Sequence, residues 1–274
     1  EMCIRDSCHS FMKFIWTLFI VSICYLDFSF SDENKLSDKQ ESLIAEPFRK
    51  AGENSVELRS AISRLDPDRV EGLVFLIQYM PERDLKSLSS DYLFENVNYA
   101  FKARDDSEWA KSVPKSIFFN NVLPYANINE RRDQWRKDFY KRFSPLVKNC
   151  KSLEEAAQIL NKEIWKIINV KYHARKRPKP DQSPYESIDA GFASCTGLSV
   201  ILIDACRAVG IPARFVGTPM WAKKRGNHSW VEIWDGSEWK FTGACEYSAA
   251  GLGKAWFKGD ASNAIKDDPR HAIY

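Results

Sequence analysis

DAGFASCTGLSVILIDACRAVGIPARF, residues 189–215, is the stretch that decides the fold of this chain. Gly210 and Pro212 mark the end of a helix, because glycine suits the position after the last turn and proline cannot continue it. Cys195 falls in the first turn of that helix, where unpaired N–H groups and the helix dipole favour an anion such as a thiolate. The predicted buried stripe of the helix comprises Leu198, Ile201, Leu202, Ala205 and Val209.

A second segment, NHSWVEIWDGSEWKF at residues 227–241, alternates as a strand does and then turns at Gly236. His228 opens this strand, and residues 238–242 begin the next one. A thiol nucleophile needs a base, and the base needs a group that orients it. Cys195 and His228 are therefore a candidate catalytic pair. Alternation predicts His228, Trp230, Glu232 and Trp234 on one face of the strand and Ser229, Val231 and Ile233 on the other.

Each of these two residues also has an interpretation without chemistry. Cys195 taken alone is a small apolar residue that fills a core. A histidine at the start of a strand is often simply exposed to solvent or hydrogen-bonded, with no role as a catalytic base. His173 lies in a basic loop and His271 lies near the end, so His228 is the best-placed partner for Cys195 after residue 31.

Three motifs, GFASCTGLS, RAVGIPARFVG and HSWVEIWDG, together resemble the transglutaminase-like superfamily of papain-like thiol enzymes over residues 172–246. The resemblance implies a bacterial exported member with an α+β fold, whose cysteine-bearing helix packs on a small antiparallel sheet. It implies that Cys195 attacks a peptide or protein amide to form a thioester, with His228 as the base. The backbone N–H of Cys195 is a natural oxyanion donor. Hydrolysis, as by a protease or amidase, and transfer, as by a transglutaminase, both stay open.

The third member of the catalytic triad is the weak point of the resemblance. The family's acidic residue falls four positions after the tryptophan of the following strand, and here that position is Gly243. We expect Glu246 to orient His228 instead, provided that the chain bends after Gly243, because strict alternation places Glu246 on the opposite face. Alternatives are a backbone carbonyl, the Thr242 hydroxyl, or a dyad with no third residue. Asp235 and Glu232 lie too far along the strand.

The charge balance and the absence of metal-binding motifs limit the classes of partner that the sequence predicts. The chain has 274 residues with 40 basic and 37 acidic side chains, and this balance gives no reason to expect a nucleic-acid partner. Neither a Cys-x-x-Cys pair nor an EF-hand pattern occurs, so we predict no metal and no cofactor. The predicted partner is a peptide or protein amide substrate.

The N-terminus predicts export. Residues 1–11 resemble an adaptor-like sequencing remnant, and Lys13 with the apolar residues 14–26 resembles a signal peptide. The apolar run is too short to predict a stable membrane span. We therefore expect residues 1–31 to be removed and the protein to be periplasmic or secreted. Four cysteines then remain. Cys150 and Cys245 could form a disulfide with each other, and the sequence leaves this question open.

The remaining chain divides into two predicted regions. We expect residues 32–150 to form a helical N-terminal region, of which residues 32–41 are a flexible leader, and residues 151–274 to form the catalytic core. We expect the core to be cut short at its end, which reads HAIY without a cap. A helix at 152–170, capped by Ser152 with Glu155, should pack beside the Cys195 helix. The basic stretch KYHARKRPKP, residues 171–180, is either a solvated loop or a wall of the approach to Cys195 that favours acidic substrates.

Two non-enzymatic functions stay open. The departure at Gly243 is compatible with a catalytically inactive transglutaminase-like binding module. The helical N-terminal region is compatible with a structural or scaffold role. The reactivity of the Cys195 thiol separates both from an enzyme, because only an enzyme needs an activated nucleophile.

Overall fold

A computed structural model describes residues 36–274 of the chain. The predicted remnant and signal peptide at residues 1–31 lie outside the described residues. Within the described range, no helix combines the length and the apolar character needed to cross a bilayer.

The described part of the chain contains twelve α-helices and five short strands. The helices are α1 (Asp38–Ala51), α2 (Ser55–Ser63), α3 (Pro67–Tyr79), α4 (Glu82–Leu85), α5 (Ser90–Asp105), α6 (Glu108–Lys111), α7 (Lys115–Asn121), α8 (Arg136–Val147), α9 (Leu153–Ile168), α10 (Pro184–Ala190), α11 (Cys195–Ala208) and α12 (Lys258–Ala261). The strands are β1 (Lys171–Tyr172), β2 (Phe192–Ala193), β3 (Ala213–Thr218), β4 (His228–Trp234) and β5 (Trp239–Thr242).

Helix α11 is the centre of the fold, as its sequence predicts. Residues 197–208 are all buried, because α5, α8 and α9 pack on one side of the helix and β3 and β4 pack on the other. A helix that is covered all round is mostly apolar, as this stretch is, and its buried charged residues, Asp204 and Arg207, form hydrogen bonds with residues of the loop before α8. Gly210 ends it with φ 90°, and a Cβ there would lie 3.0 Å from the carbonyl oxygen of Ala103, so only glycine fits without strain.

Strands β3, β4 and β5 form an antiparallel sheet with β4 in the middle. Val231 and Ile233 of β4 belong to the core that also contains α11, whereas Trp230 belongs to a second core on the other face. The α+β fold with a cysteine-bearing helix on a small antiparallel sheet is thereby confirmed.

The second face of the sheet is covered by the C-terminal segment. Phe257, which is 1% exposed, packs against Trp230 with ring centroids 5.0 Å apart. The backbone of Tyr274 exchanges two hydrogen bonds with Gly217 of β3, at 2.9 and 3.0 Å. On the other edge, the N–H of Gly253 donates to the carbonyl of Phe241 in β5 at 2.8 Å.

The N-terminal region is helical, as predicted, but its first helix begins inside the segment that we expected to be a flexible leader. We expected residues 32–41 to be a flexible leader; α1 instead starts at Asp38, capped by a reciprocal pair of hydrogen bonds between Ser37 and Gln40. Its buried residues join one core cluster with those of α9 and α11, so packing is continuous across residue 150. The division into regions at 32–150 and 151–274 stays a prediction.

Two buried arginines, Arg136 of α8 and Arg207 of α11, connect α11 with the loop that precedes α8 through hydrogen bonds. Arg136 donates to the carbonyl oxygens of Arg207 and Pro124, at 3.0 and 2.8 Å. Arg207 donates to the carbonyl oxygen of Ala126 at 2.9 Å. Buried charges are tolerated when hydrogen bonds satisfy them, and these bonds hold residues 124–128 in a defined position beside α11.

Candidate active site

Cys195 is the first residue of α11; its thiol is not in a disulfide, and the residue is partly exposed. Ser194 precedes it as the N-cap, is 3% exposed, and does not use its side chain to cap the helix. The Ser194 hydroxyl instead accepts a hydrogen bond of 2.6 Å from Nη1 of Arg177, in the basic loop. The first turn of α11 therefore holds a free cysteine beside backbone N–H groups that the Ser194 side chain does not cap.

The other described cysteines differ from Cys195 in their surroundings. All three are also free, so no disulfide links Cys150 to Cys245 in residues 36–274. Burial raises the pKa of Cys150 and of Cys206. Burial, followed by the charge of Glu246, raises the pKa of Cys245. These environments disfavour the thiolate at all three positions.

The mouth of α11 meets the start of β4 through two hydroxyl groups. Thr196 Oγ1 and Ser229 Oγ lie 3.2 Å apart and share a hydrogen bond. Thr196 follows Cys195 in the chain and Ser229 follows His228. The structure thus brings together the two elements that carry the predicted pair.

The His228 ring lies on the sheet face opposite Ser229, within an aromatic cluster. Its centroid is 4.8 Å from that of Phe257 and 4.9 Å from that of Trp256. Its Nε2 is buried and has no hydrogen-bond partner among the described residues, so no hydrogen bond joins that atom to the Cys195 thiol. Burial, and then the positive charge of Lys224, lowers the pKa of His228 to about 4, which makes the imidazole neutral at pH 7.

Glu246 lies where a side chain at position 243 would be. The chain turns after Gly243: the N–H of Glu246 donates to the Gly243 carbonyl at 3.2 Å, and Cys245 has a φ of 65°. Glu246 Oε2 lies 2.0 Å and Glu246 Cδ 2.6 Å from the point where a Cβ on Gly243 would be. The bend that we expected after Gly243 is present, and it brings the carboxylate beside Gly243; the role of Glu246 in orienting His228 stays a prediction.

Asn161 of α9 fixes this turn, and sequence reasoning missed it. Its side chain is 1% exposed and donates from Nδ2 to the carbonyl of Gly243 at 2.9 Å. Its Oδ1 accepts from the N–H of Cys245 at 2.9 Å. An asparagine at an apolar helical position was the available signal, because a buried amide needs partners.

Glu246 does not bond to His228 directly in this arrangement. Trp256 Nε1 donates to both carboxylate oxygens of Glu246 at 3.0 Å, and the same indole packs on the His228 ring. Burial raises the pKa of Glu246, and the hydrogen bond from Trp256 offsets part of that rise. The indole therefore stands between the two predicted site residues. No periodicity pointed to Trp256, which lies in an irregular segment.

The other candidates for orienting His228 are engaged elsewhere. Glu232 pairs with Arg214 across β3 and β4. Asp235 is 2.7 Å from Lys240 and accepts hydrogen bonds from its own turn. The Thr242 hydroxyl accepts from Asn161 at 3.2 Å, on the α9 side of the sheet.

A cavity of about 690 Å³ opens beside the Thr196–Ser229 contact. Five parts of the chain build it: the loop before α8, residues 180–181 at the end of the basic loop, the first turn of α11, strands β3 and β4 with the residues next to them, and Tyr274. Its wall comprises Asn127, Ile128, Asn129, Pro180, Asp181, Thr196, Phe215, Gly217, Thr218, Pro219, Asn227, His228, Ser229 and Tyr274. In residues 36–274, no three His, Cys, Asp or Glu side chains are arranged to hold a metal ion.

Comparison with known proteins supports the resemblance over part of the chain. Residues 142–243 match the family model described as the transglutaminase-like superfamily, which confirms the prediction for that segment. Among curated proteins, no sequence matches this chain. A solved structure described as a "Putative Cysteine Protease from Cytophaga hutchinsonii" matches with a TM-score of 0.35 and 20% sequence identity. That match covers 51% of this chain and 46% of the other, which is less than half of that chain's length.

Proposed function

We propose that this protein, whose residues 142–243 match the transglutaminase-like superfamily, is a thiol-dependent acyl-transfer enzyme that acts on peptide or protein amides. Cys195 is the nucleophile and His228 is the base. The observation that carries the proposal is the Thr196–Ser229 contact of 3.2 Å. It brings the residues that follow Cys195 and His228 into contact beside one cavity, as a nucleophile and its base require.

The reaction proceeds through a thioester. Sγ of Cys195 attacks the amide carbonyl carbon, and His228 takes the thiol proton. The oxyanion accepts a hydrogen bond from the backbone N–H of Cys195 at the helix mouth. The C–N bond then breaks, and the imidazolium of His228 protonates the leaving amine. Water completes hydrolysis of the thioester, or a second amine completes transfer.

His228 must be neutral and mobile to act in this way. Its burial keeps it neutral at pH 7, which is the protonation state that a base needs. In the described part of the chain, Nε2 of His228 makes no hydrogen bond that would have to break when the ring moves. We propose that the ring turns out of its contacts with Trp256 and Phe257 to reach the thiol. Glu246, held at the place of a residue-243 side chain, then positions the ring.

The test is labelling of the full chain with a peptide-based electrophile that forms a thioether with activated cysteines, followed by peptide mass spectrometry. We expect Cys195, which is partly exposed, to react at least tenfold faster than Cys245, which is more exposed. Cys195→Ala should abolish labelling and turnover of peptide amides, whereas Cys245→Ala should leave both near wild type. Equal labelling of the two thiols would contradict the proposal.

One observation favours a second candidate, a catalytically inactive binding module. His228 is packed among aromatic rings, and no hydrogen bond joins its buried Nε2 to the thiol within the described residues. If His228 never leaves this cluster, the cavity binds peptides without cleaving them. A Cys195 thiol that reacts no faster than Cys245, together with peptide binding that persists in Cys195→Ala, would support this alternative.

A further inference from the structure

The loop at residues 171–180 is strongly cationic and mostly unpaired. It holds five lysines and arginines and no carboxylate. Lys179 pairs with Glu186 at 2.9 Å. In the described part of the chain, the other four have no carboxylate within ion-pair distance: Lys171, Arg175, Lys176 and Arg177.

Backbone pairing ties this loop to the helix mouth. Tyr172 in β1 pairs in parallel with Ala193 in β2, and the N–H of His173 donates to the Ala193 carbonyl at 2.8 Å. His173 Nδ1 then accepts from the N–H groups of Arg175 and Lys176, at 3.2 and 3.0 Å, which turns the chain back. These contacts position the guanidinium that follows.

Arg177 reaches the residue before the nucleophile. Its Nη1 donates to the Ser194 hydroxyl at 2.6 Å, and its side chain is partly buried there. A guanidinium has five N–H donors in a planar fork that matches a carboxylate, and within residues 36–274 Arg177 makes only this one hydrogen bond. The positive end of α11 adds to the field at the same place. An anion near Ser194 and Cys195 is therefore favoured, and no described carboxylate lies within ion-pair distance of Arg177.

The end of the same loop lines the cavity beside Thr196. Pro180 and Asp181 belong to the cavity wall. Asp181 brings one negative charge to this wall, but it forms no ion pair with Arg177 in the described residues. A substrate that fills the cavity thus passes between the sheet ends and a loop whose net charge is positive.

Building on the proposed function, we infer that Arg177 is a specificity-determining residue that binds a carboxylate on the acyl donor. The substrate class is a peptide amide with a carboxylate side chain or terminus close to the scissile carbonyl. A residue that only anchored the loop would need no charge, because a neutral donor can also bond to Ser194. Charge is therefore the property that the experiment must vary.

The experiment compares two small alkylating reagents on the full chain, iodoacetate, which is anionic, and iodoacetamide, which is neutral. Rates are measured separately at Cys195 and Cys245 by peptide mass spectrometry, and the iodoacetate-to-iodoacetamide ratio is taken at each thiol. Arg177→Gln keeps a donor for Ser194 and removes the charge. Arg177→Lys keeps the charge and removes the fork. Arg175→Gln removes one charge from the same loop without touching Ser194.

We expect Arg177→Gln to lower the ratio at Cys195 by about three- to tenfold and to leave the ratio at Cys245 unchanged. Arg177→Lys should fall between wild type and Arg177→Gln, and Arg175→Gln should have a smaller effect. The difference should shrink in 0.5 M salt. A reactive Cys195 whose ratio is the same in all variants overturns this inference alone. A Cys195 that is inert to both reagents overturns the proposed function and this inference with it.

Discussion

The carboxylate of Glu246 occupies the space that a side chain on Gly243 would fill. Two residues three positions apart therefore compete for one space. The turn held by Asn161 brings the Glu246 side chain back to Gly243.

A side chain at position 243 should therefore conflict with Glu246. Gly243→Ala should lower the free energy of unfolding by about 1–3 kcal/mol, because the new Cβ meets the carboxylate and displaces it from Trp256. Glu246→Ala should relieve the conflict, giving a coupling of about 0.5–3 kcal/mol in a double-mutant cycle. Urea unfolding of the four proteins measures it. Additive losses would show that the two residues do not compete for this space.

Removing the buried amide that holds the turn should be costly. Asn161→Ala removes two hydrogen bonds, a buried one to the Gly243 carbonyl and a partly buried one from the Cys245 N–H, at a net cost of about 0.5–1.5 kcal/mol each. Gln158→Ala on the same helix is the matched control, because it loses one partly buried bond to Ser248. We expect Asn161→Ala to be clearly the less stable in urea unfolding. Equal stabilities would mean that Asn161 does not hold the turn.

Trp256 should control the proton affinity of His228. Its indole covers the imidazole, and burial is the main reason that the pKa of His228 is about 4. Trp256→Ala exposes the ring, so the pKa should rise toward the ordinary value of about 6.5. Trp256→Phe keeps a ring in place and should hold the pKa near 4. NMR titration of the His228 ring protons measures both, and an unchanged value in Trp256→Ala would mean that the indole is not the cover.

The same burial predicts how stability depends on pH. His228 has a pKa of about 4 in the folded chain, and its ordinary value, taken for the unfolded chain, is 6.5. The unfolded chain therefore binds more protons between pH 4 and 6.5, and the free energy of unfolding falls as pH falls through that window. His228→Gln lacks this contribution, so its stability relative to wild type should improve by about 2 kcal/mol between pH 7 and pH 4.5. Parallel stability curves for the two proteins would contradict the assigned burial.

Local signals in the sequence predicted the elements but not how their ends meet. The apolar stripe predicted α11, Gly210 predicted its end, and alternation predicted β4, since each signal comes from neighbouring residues. Composition misled at the start of α1: polar residues suggested a leader, although Ser37 and Gln40 have the spacing of a helix cap.

The alternation along β4 also predicts which way the His228 side chain points relative to α11. Alternation separated His228 from Val231 and Ile233, and these two apolar residues are the ones that pack on α11. The ring therefore points away from the helix that carries Cys195. The contacts of His228 with Trp256 and of Arg177 with Ser194 join irregular segments to distant partners. No local period encodes such contacts, because tertiary packing alone determines them.

The short backbone bridges at the two sheet edges have a consequence for aggregation and for peptide entry. Tyr274 occupies hydrogen-bonding groups of Gly217 on β3, and Gly253 occupies the carbonyl of Phe241 on β5. An uncovered edge strand recruits further strands from other molecules, and such bridges interrupt the row of free groups that recruitment needs. They equally oppose the addition of an extended peptide as a fourth strand at these points. If the proposed function holds, we therefore expect a peptide substrate to bind without adding a strand to the sheet at Gly217 or Phe241.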